Sequence, residues 1–150
     1  MRFRLLVCTL LGTACGGGSS SPVVPETGPA GVVDQFMRAV ADSNLGGMAE
    51  LWGTNRGSAA QTHEPPDYQR RVAVMFAYLR GTSAKVLGQT EGSGGRVVLG
   101  VEVRRANCAR RVPFTMVRTR AGAWLVTAID LAAAGTPGQP CPSEAKRPGS

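Results

Sequence analysis

Histidine occurs once in these 150 residues, at position 63. A nucleophile–imidazole pair therefore has only that imidazole to use, and a metal site built on it would find a further ligand among its neighbours in Glu64 alone. His63 also sits in a polar stretch, where a solvated role is the ordinary one. Cysteine occurs four times but never as Cys-x-x-Cys, so the usual redox and zinc-ribbon spacings are missing. Glycine is plentiful, yet neither Gly92-Ser93-Gly94-Gly95 nor Gly16-Gly17-Gly18 lies between a strand and a helix with phosphate-binding spacing. They read as a turn and a tether. No internal repeat is present. The apolar run over residues 5–14 is far too short to span a bilayer.

What is present begins with an address. Met1-Arg2-Phe3-Arg4 is a short basic leader, and the apolar run behind it has the length of a signal-peptide core. It stops at Ala14-Cys15. Leu11-Gly12-Thr13-Ala14-Cys15 resembles the bacterial lipobox, whose cysteine becomes the lipidated first residue of the mature chain. Thr13 and Ala14 are suitably small, while the leucine stands one position earlier than usual, with Gly12 in its place. An ordinary cleaved signal with an incidental cysteine is the plainer alternative. Gly16-Gly17-Gly18-Ser19-Ser20-Ser21-Pro22 favours the anchored reading, because a flexible polar stretch to Gly28 would hold a domain about 20 Å from a membrane. More than one acyl chain on Cys15 would make that attachment stable. The expected organisation is a signal over residues 1–14, a lipidated tether over 15–28, one domain over 29–132 and a tail over 133–150. The expected location is a bacterial cell envelope, facing periplasm or exterior.

About 120 residues remain beyond the tether, enough for one core and not two. The formal charge is +7, from 17 basic and 10 acidic residues, and falls to +5 once Arg2 and Arg4 leave with the leader. Most of it is arginine on or beside the expected strands, including Arg96, Arg104, Arg105, Arg110, Arg111, Arg118 and Arg120. A basic surface could meet nucleic acid, but an exported lipoprotein rarely does; anionic phospholipid headgroups are the more available partner, and a solvated arginine-rich face is the commoner case still.

Val33, Phe36, Met37 and Val40 recur at helical spacing over residues 30–41, with Asp34 and Arg38 as an i, i+4 pair on the outer side and Pro29 in the first turn. Asp42-Ser43-Asn44 can end that helix and cap a second one over residues 45–52, which buries Met48, Leu51 and Trp52. Residues 53–64 read as a loop. Pro65-Pro66-Asp67 opens a third helix to about Arg80, apolar on one side at Tyr68, Val72, Met75, Phe76 and Leu79.

Residues 84–131 read as an antiparallel meander. With Ala106-Asn107 as a two-residue turn, Val103 faces Arg110, Val101 faces Val112, Leu99 faces Phe114 and Val97 faces Met116. Three apolar pairs then fall on one face, and a slip of one residue would move them all to the other. The opposite face carries Glu102, Arg104, Arg111 and Thr115 among Val98 and Val117, and reads as half-wet. The 92–95 loop places Val86 against Val101 and Gly88 against Leu99. Arg120-Ala121-Gly122 turns into a last strand over residues 123–129, apolar on both faces, which suits a central or doubly covered strand better than an exposed edge. Helices first and an antiparallel sheet after them make an α+β fold, N-terminal helices packed on a curved four-stranded meander.

This order, with the apolar helix around Val33 and Val40, the helix carrying Met48, Leu51 and Trp52, and Gly122-Ala123-Trp124-Leu125-Val126 in the last strand, resembles the cone-shaped nuclear-transport-factor-2-like superfamily. Within it, the chain is similar to small bacterial lipoprotein domains of unknown function. The resemblance covers residues 30–131. It implies a cone lined on the helical side by Phe36, Val40, Trp52, Tyr68, Val72 and Phe76, and on the sheet side by Val101, Phe114, Met116 and Trp124. Enzymes of the superfamily place a carboxylate or histidine with a tyrosine inside that cone. Asp130 and Tyr68 are the candidates here, with Tyr78 and His63 behind them. Asp130 also simply ends a strand, and Tyr68 fits a core position with its hydroxyl at the edge.

Two readings follow. One is a non-catalytic domain binding a small apolar ligand or another envelope protein, without metal or cofactor, with a homodimer left open. The other is an isomerase or dehydratase using Asp130 with Tyr68. In either case Cys8 leaves with the signal and Cys15 is acylated, so Cys108 and Cys141 are expected to pair. Closing a loop of that length contributes roughly 3–4 kcal/mol on the loop-entropy account.

Overall fold

The computed structural model describes residues 27–137 and 139. The leader, Cys15, the tether to residue 26 and Cys141 lie outside the described residues. The chain runs through α1 (Pro29–Ala41), α2 (Leu45–Leu51), β1 (Gly53–Thr54), β2 (Gly57–Ser58), α3 (Ala59–Thr62) and α4 (Tyr68–Leu79). It continues through β3 (Ser83–Glu91), β4 (Val97–Arg105), β5 (Cys108–Arg118), β6 (Trp124–Ile129) and α5 (Leu131–Ala134). The N-terminal helices pack on one four-stranded antiparallel sheet in the order β3-β4-β5-β6.

Local chemistry sets the helix ends. Gly28 is extended at the N-cap of α1 and Pro29 takes the first helical position, where its missing N–H costs nothing. Asn44 caps α2, its Oδ1 accepting from the Gly47 N–H at 2.8 Å. Trp52 is the C-cap of α2 in extended conformation. The 53–64 segment, read from sequence as a loop, is instead a two-strand hairpin followed by the short α3. Ser58 starts α3 by accepting from the Gln61 N–H, and Thr62 donates back to the Ser58 carbonyl at 2.8 Å. Polar side chains bonding their own backbone make structure there that no hydrophobic period announces.

The β4–β5 register is the expected one at all four pairs. Ala106 takes the positive φ (49°) that so tight a turn requires. In β3, Val86 faces Val101 as expected, but Gly88 faces Gly100 and Gln89 faces Leu99. The cause is a bulge between Val86 and Gly88, which leaves Leu87 unpaired and 47 % exposed. The last strand differs as well. In sheet order β6 is an edge, yet Leu125 and Val126 are both buried. Its open side is covered by a parallel bridge from Trp52 to Val126 and by the Trp52 indole N–H donating to the Thr127 carbonyl at 3.3 Å.

The core lies between the helices and one sheet face. Val33, Phe36, Met37 and Val40 of α1, Met48 of α2, and Val72, Met75 and Leu79 of α4 meet Leu99, Val101, Val112, Phe114 and Met116. Phe36 and Phe114 stand edge to face, 6.4 Å between centroids, at its centre. The other face is half-wet as expected, with Glu102 paired to Arg104 at 2.9 Å among half-buried Val98, Thr115 and Val117. Asp34 and Arg38 do not close an ion pair among the described residues. The pairs that form there are Arg56–Glu64, Arg71–Asp67 and Arg104–Glu102.

Phe114→Ala should lower the unfolding free energy by about 3–5 kcal/mol, since its cavity would open in a close-packed centre. Leu87→Ser, at the exposed bulge, should stay within about 0.5 kcal/mol of the parent. Urea titration of both variants checks the contrast.

Candidate functional site

The ten residues expected to line a cone cavity separate into two groups. Phe36, Val101, Phe114 and Met116 are 0 % exposed, with Val72 at 1 % and Val40 at 2 %. Phe36, Val40, Val101, Phe114 and Met116 are packed core rather than a lining, while Val72 also borders the groove between α2 and α4. Trp52, Tyr68, Phe76 and Trp124 lie at its margin, buried or half-buried.

The candidate chemical groups are dispersed. Asp130 is exposed at the end of β6, and its carboxylate accepts from the Ala133 N–H at 3.1 Å, capping α5. Tyr68, at the start of α4, has its ring 6.0 Å from that of His63, in tilted contact. His63 is exposed and takes a left-handed backbone (φ 53°) at the C-cap of α3, one residue before the cis Glu64–Pro65 bond. Glu64 is paired with Arg56. Tyr78 is half-buried on α4, and its carbonyl accepts from Arg105 at 2.6 Å. Among the described residues, no three His, Cys, Asp or Glu side chains gather as a metal site would need. Cys108 is half-buried at the start of β5.

Two grooves flank α4 at the rim of the core. The first, about 500 Å³, runs between α2 and α4 and brings Tyr68 and Gln69 near Leu45, Ala49 and Glu50. A tyrosine and a carboxylate do share this groove, but the carboxylate is Glu50, not Asp130. Glu50 is an exposed residue whose Oε2 receives the Ser58 hydroxyl at 3.4 Å. The second groove, about 350 Å³, runs between α4 and β6. Trp52, Val74, Met75, Ile129 and Leu131 give it an apolar floor, and Asp67, Arg70 and Arg71 stand at one end. Asp67 accepts from Arg71 Nε at 2.9 Å, and this hydrogen bond holds its carboxyl below the usual range.

Sequence reasoning passed over Glu50, Arg70 and Val74. Val74 carried a legible signal, an apolar residue off the buried stripe of α4, and it is 43 % exposed. Arg70 carried none, being one of two adjacent arginines that only the helix phase separates.

No family model matches the chain, and no curated protein matches it. Among solved structures, a chain from Shewanella frigidimarina NCIMB 400, provisionally described as a ketosteroid isomerase, is similar at a TM-score of 0.45 and 15% identity. The similarity covers 70% of this chain and 95% of that one. A likeness at that level bears on neither activity nor ligand.

The Asp67–Arg71 pair has a definite pH sign. A carboxyl whose folded pKa is lowered adds stability above its unfolded pKa and loses it as pH falls through the folded value. Asp67→Asn should therefore lower the melting temperature slightly at neutral pH and converge on the parent as pH falls through the carboxylate range, which flattens the acid limb. Thermal melts from neutral to acid pH check this, and a difference from the parent that grows in acid would contradict it.

Proposed function

We propose that this chain is a membrane-anchored lipoprotein of the bacterial cell envelope, with a nuclear-transport-factor-2-like domain that binds a small apolar ligand or an envelope protein without catalysis. The observation that carries the binding part is the filled interior. Phe36, Val101, Phe114 and Met116 close the space where a reaction in this kind of fold would be shielded from water. Binding is left to the rim, where both grooves combine apolar floors with a few polar groups, as ligand sites do. Asp130 and Tyr68 support the enzyme alternative poorly, because one is an exposed helix cap and the other faces a groove that Asp130 does not line.

The anchor rests on sequence: the basic leader, the short apolar run, Thr13-Ala14-Cys15 and the Gly/Ser tether. A native mass spectrum of protein extracted from its own membrane tests both halves. It should give a mature chain beginning at Cys15 with acyl mass added, together with a bound small molecule or partner. An unacylated N-terminus would reject the anchor, and consistently bare protein would reject the binding module.

In the same reading Cys108 pairs with Cys141. The chain after β6 travels back along β5, with the Asp130 N–H donating to the Pro113 carbonyl at 3.0 Å. Farther on, Gly135 lies so close to Arg110 that a Cβ on it would be 3.0 Å from the guanidinium Nε. Cys108 is two residues from Arg110, and a span from Gly135 to Cys141, at about 3.3–3.6 Å per residue, reaches it easily. Non-reducing peptide mapping should recover the Cys108–Cys141 linked peptide, whereas a link from Cys108 to Cys8 or Cys15 would refute the pairing.

A further inference from the structure

The groove between α4 and β6 has two features that belong together. Its floor is apolar and partly in water, with Val74 43 % exposed beside Ile129 and Leu131. At one end Asp67 and Arg71 neutralise each other at 2.9 Å, while Arg70 makes no ion pair or hydrogen bond among the described residues. The lining thus keeps one uncompensated positive charge. All three residues stand at the start of α4, a twelve-residue helix, whose positive dipole end adds to that charge. The Tyr68 and Arg71 N–H groups are occupied by the Pro65 and Asp67 carbonyls, so the anion contact falls to the Arg70 side chain.

We propose that this groove binds a single-chain amphiphilic carboxylate, such as a medium-chain fatty acid anion, with its headgroup at Arg70 and its chain over Val74, Ile129 and Leu131. This rests on the binding-module reading and gives it a ligand class. Charge selects the headgroup, since a cation would meet Arg70 unscreened. Size selects one chain. At about 350 Å³ the groove is near the lower end of the roughly 300–1,000 Å³ range of ligand pockets, too small for a two-chain phospholipid. Trp52 forms part of the floor and makes the site self-reporting.

The test uses the full exported chain carrying Cys15→Ser, which needs no detergent and leaves the groove untouched whether or not Cys15 is normally acylated. A further Trp124→Phe change leaves Trp52 as the single tryptophan. Decanoate below its micelle concentration should change Trp52 fluorescence saturably. Arg70→Gln should weaken binding by about threefold and Arg70→Glu by about tenfold, the scale expected for removing and then reversing one exposed charge. Val74→Ser should weaken it with an unchanged melting temperature. Decyltrimethylammonium should bind more weakly than decanoate to the parent and more tightly to Arg70→Glu. Absence of a saturable change, equal decanoate affinity in the Arg70 variants, or Arg70-dependent binding of phosphatidylglycerol vesicles without binding of monomeric decanoate would each overturn the proposal. Failure here leaves the broader reading to the native mass spectrum, where a different ligand or a protein partner would still register.

Discussion

A strand at the end of a sheet that carries two adjacent buried residues needs cover on its open side, and β6 obtains it from Trp52. The parallel bridge to Val126 and the indole bond to the Thr127 carbonyl dock the end of α2 onto the sheet. The Arg120 N–H donates to the Asn55 carbonyl at 3.0 Å, fastening the β5–β6 turn to the small hairpin. With that edge closed, the helical layer is held at both ends. The space left between α4 and β6 becomes a groove rather than an open flank.

The surplus of arginine reads from sequence as a solvated or lipid-facing surface, yet several arginines act inside the fold. Arg105 donates to the Tyr78 carbonyl at 2.6 Å, at the C-terminal end of α4, where a cation satisfies exposed carbonyls and opposes the negative end of the dipole. Arg111 lies flat across Gly100 on the outer sheet face. A Cβ at that glycine would sit 2.7 Å from its Nε, so the small residue is what permits the approach. Arg71 is held by Asp67. What net charge leaves available is therefore smaller than the composition suggests, and Arg70 matters because it is not spent in this way.

The filled centre has a consequence for function. Phe36 against Phe114, with Met116, Met48 and the valines around them, leaves no accessible surface in the middle of the layers. Burial of this kind stabilises the fold, and under the proposed binding reading it leaves binding to the rim, where apolar side chains meet charged ones. The two rim grooves differ in sign. Glu50 gives the α2–α4 groove a negative lining charge and Arg70 gives the other a positive one, so helix α4 separates two chemically distinct surfaces.

Helix spacing at Val33, Phe36, Met37 and Val40, and alternation through residues 97–116, sufficed to set the α+β class and the central strand register. Both depend on periodicities of 3.6 and 2 that are local to the chain. The 53–62 structure was hidden because the backbone pairing of β1 with β2, the Gln61 N–H donating to Ser58 and the Thr62 hydroxyl donating to the Ser58 carbonyl create it, not a buried stripe. The Leu87 bulge was hidden because one extra residue in a strand leaves no mark on composition. The candidate site was less legible than the fold. Asp130 and Tyr68 were visible as residue types, but whether they share a cavity depends on where α4 and β6 come to rest. That is decided by long-range contacts such as Trp52 with Val126, and the same contacts bring Arg70 and Val74 beside Ile129. Sequence alone determined the elements and the apolar face each buries; tertiary structure decided that the faces meet without a gap, because how closely side chains interlock is set by their joint packing and not by any one segment.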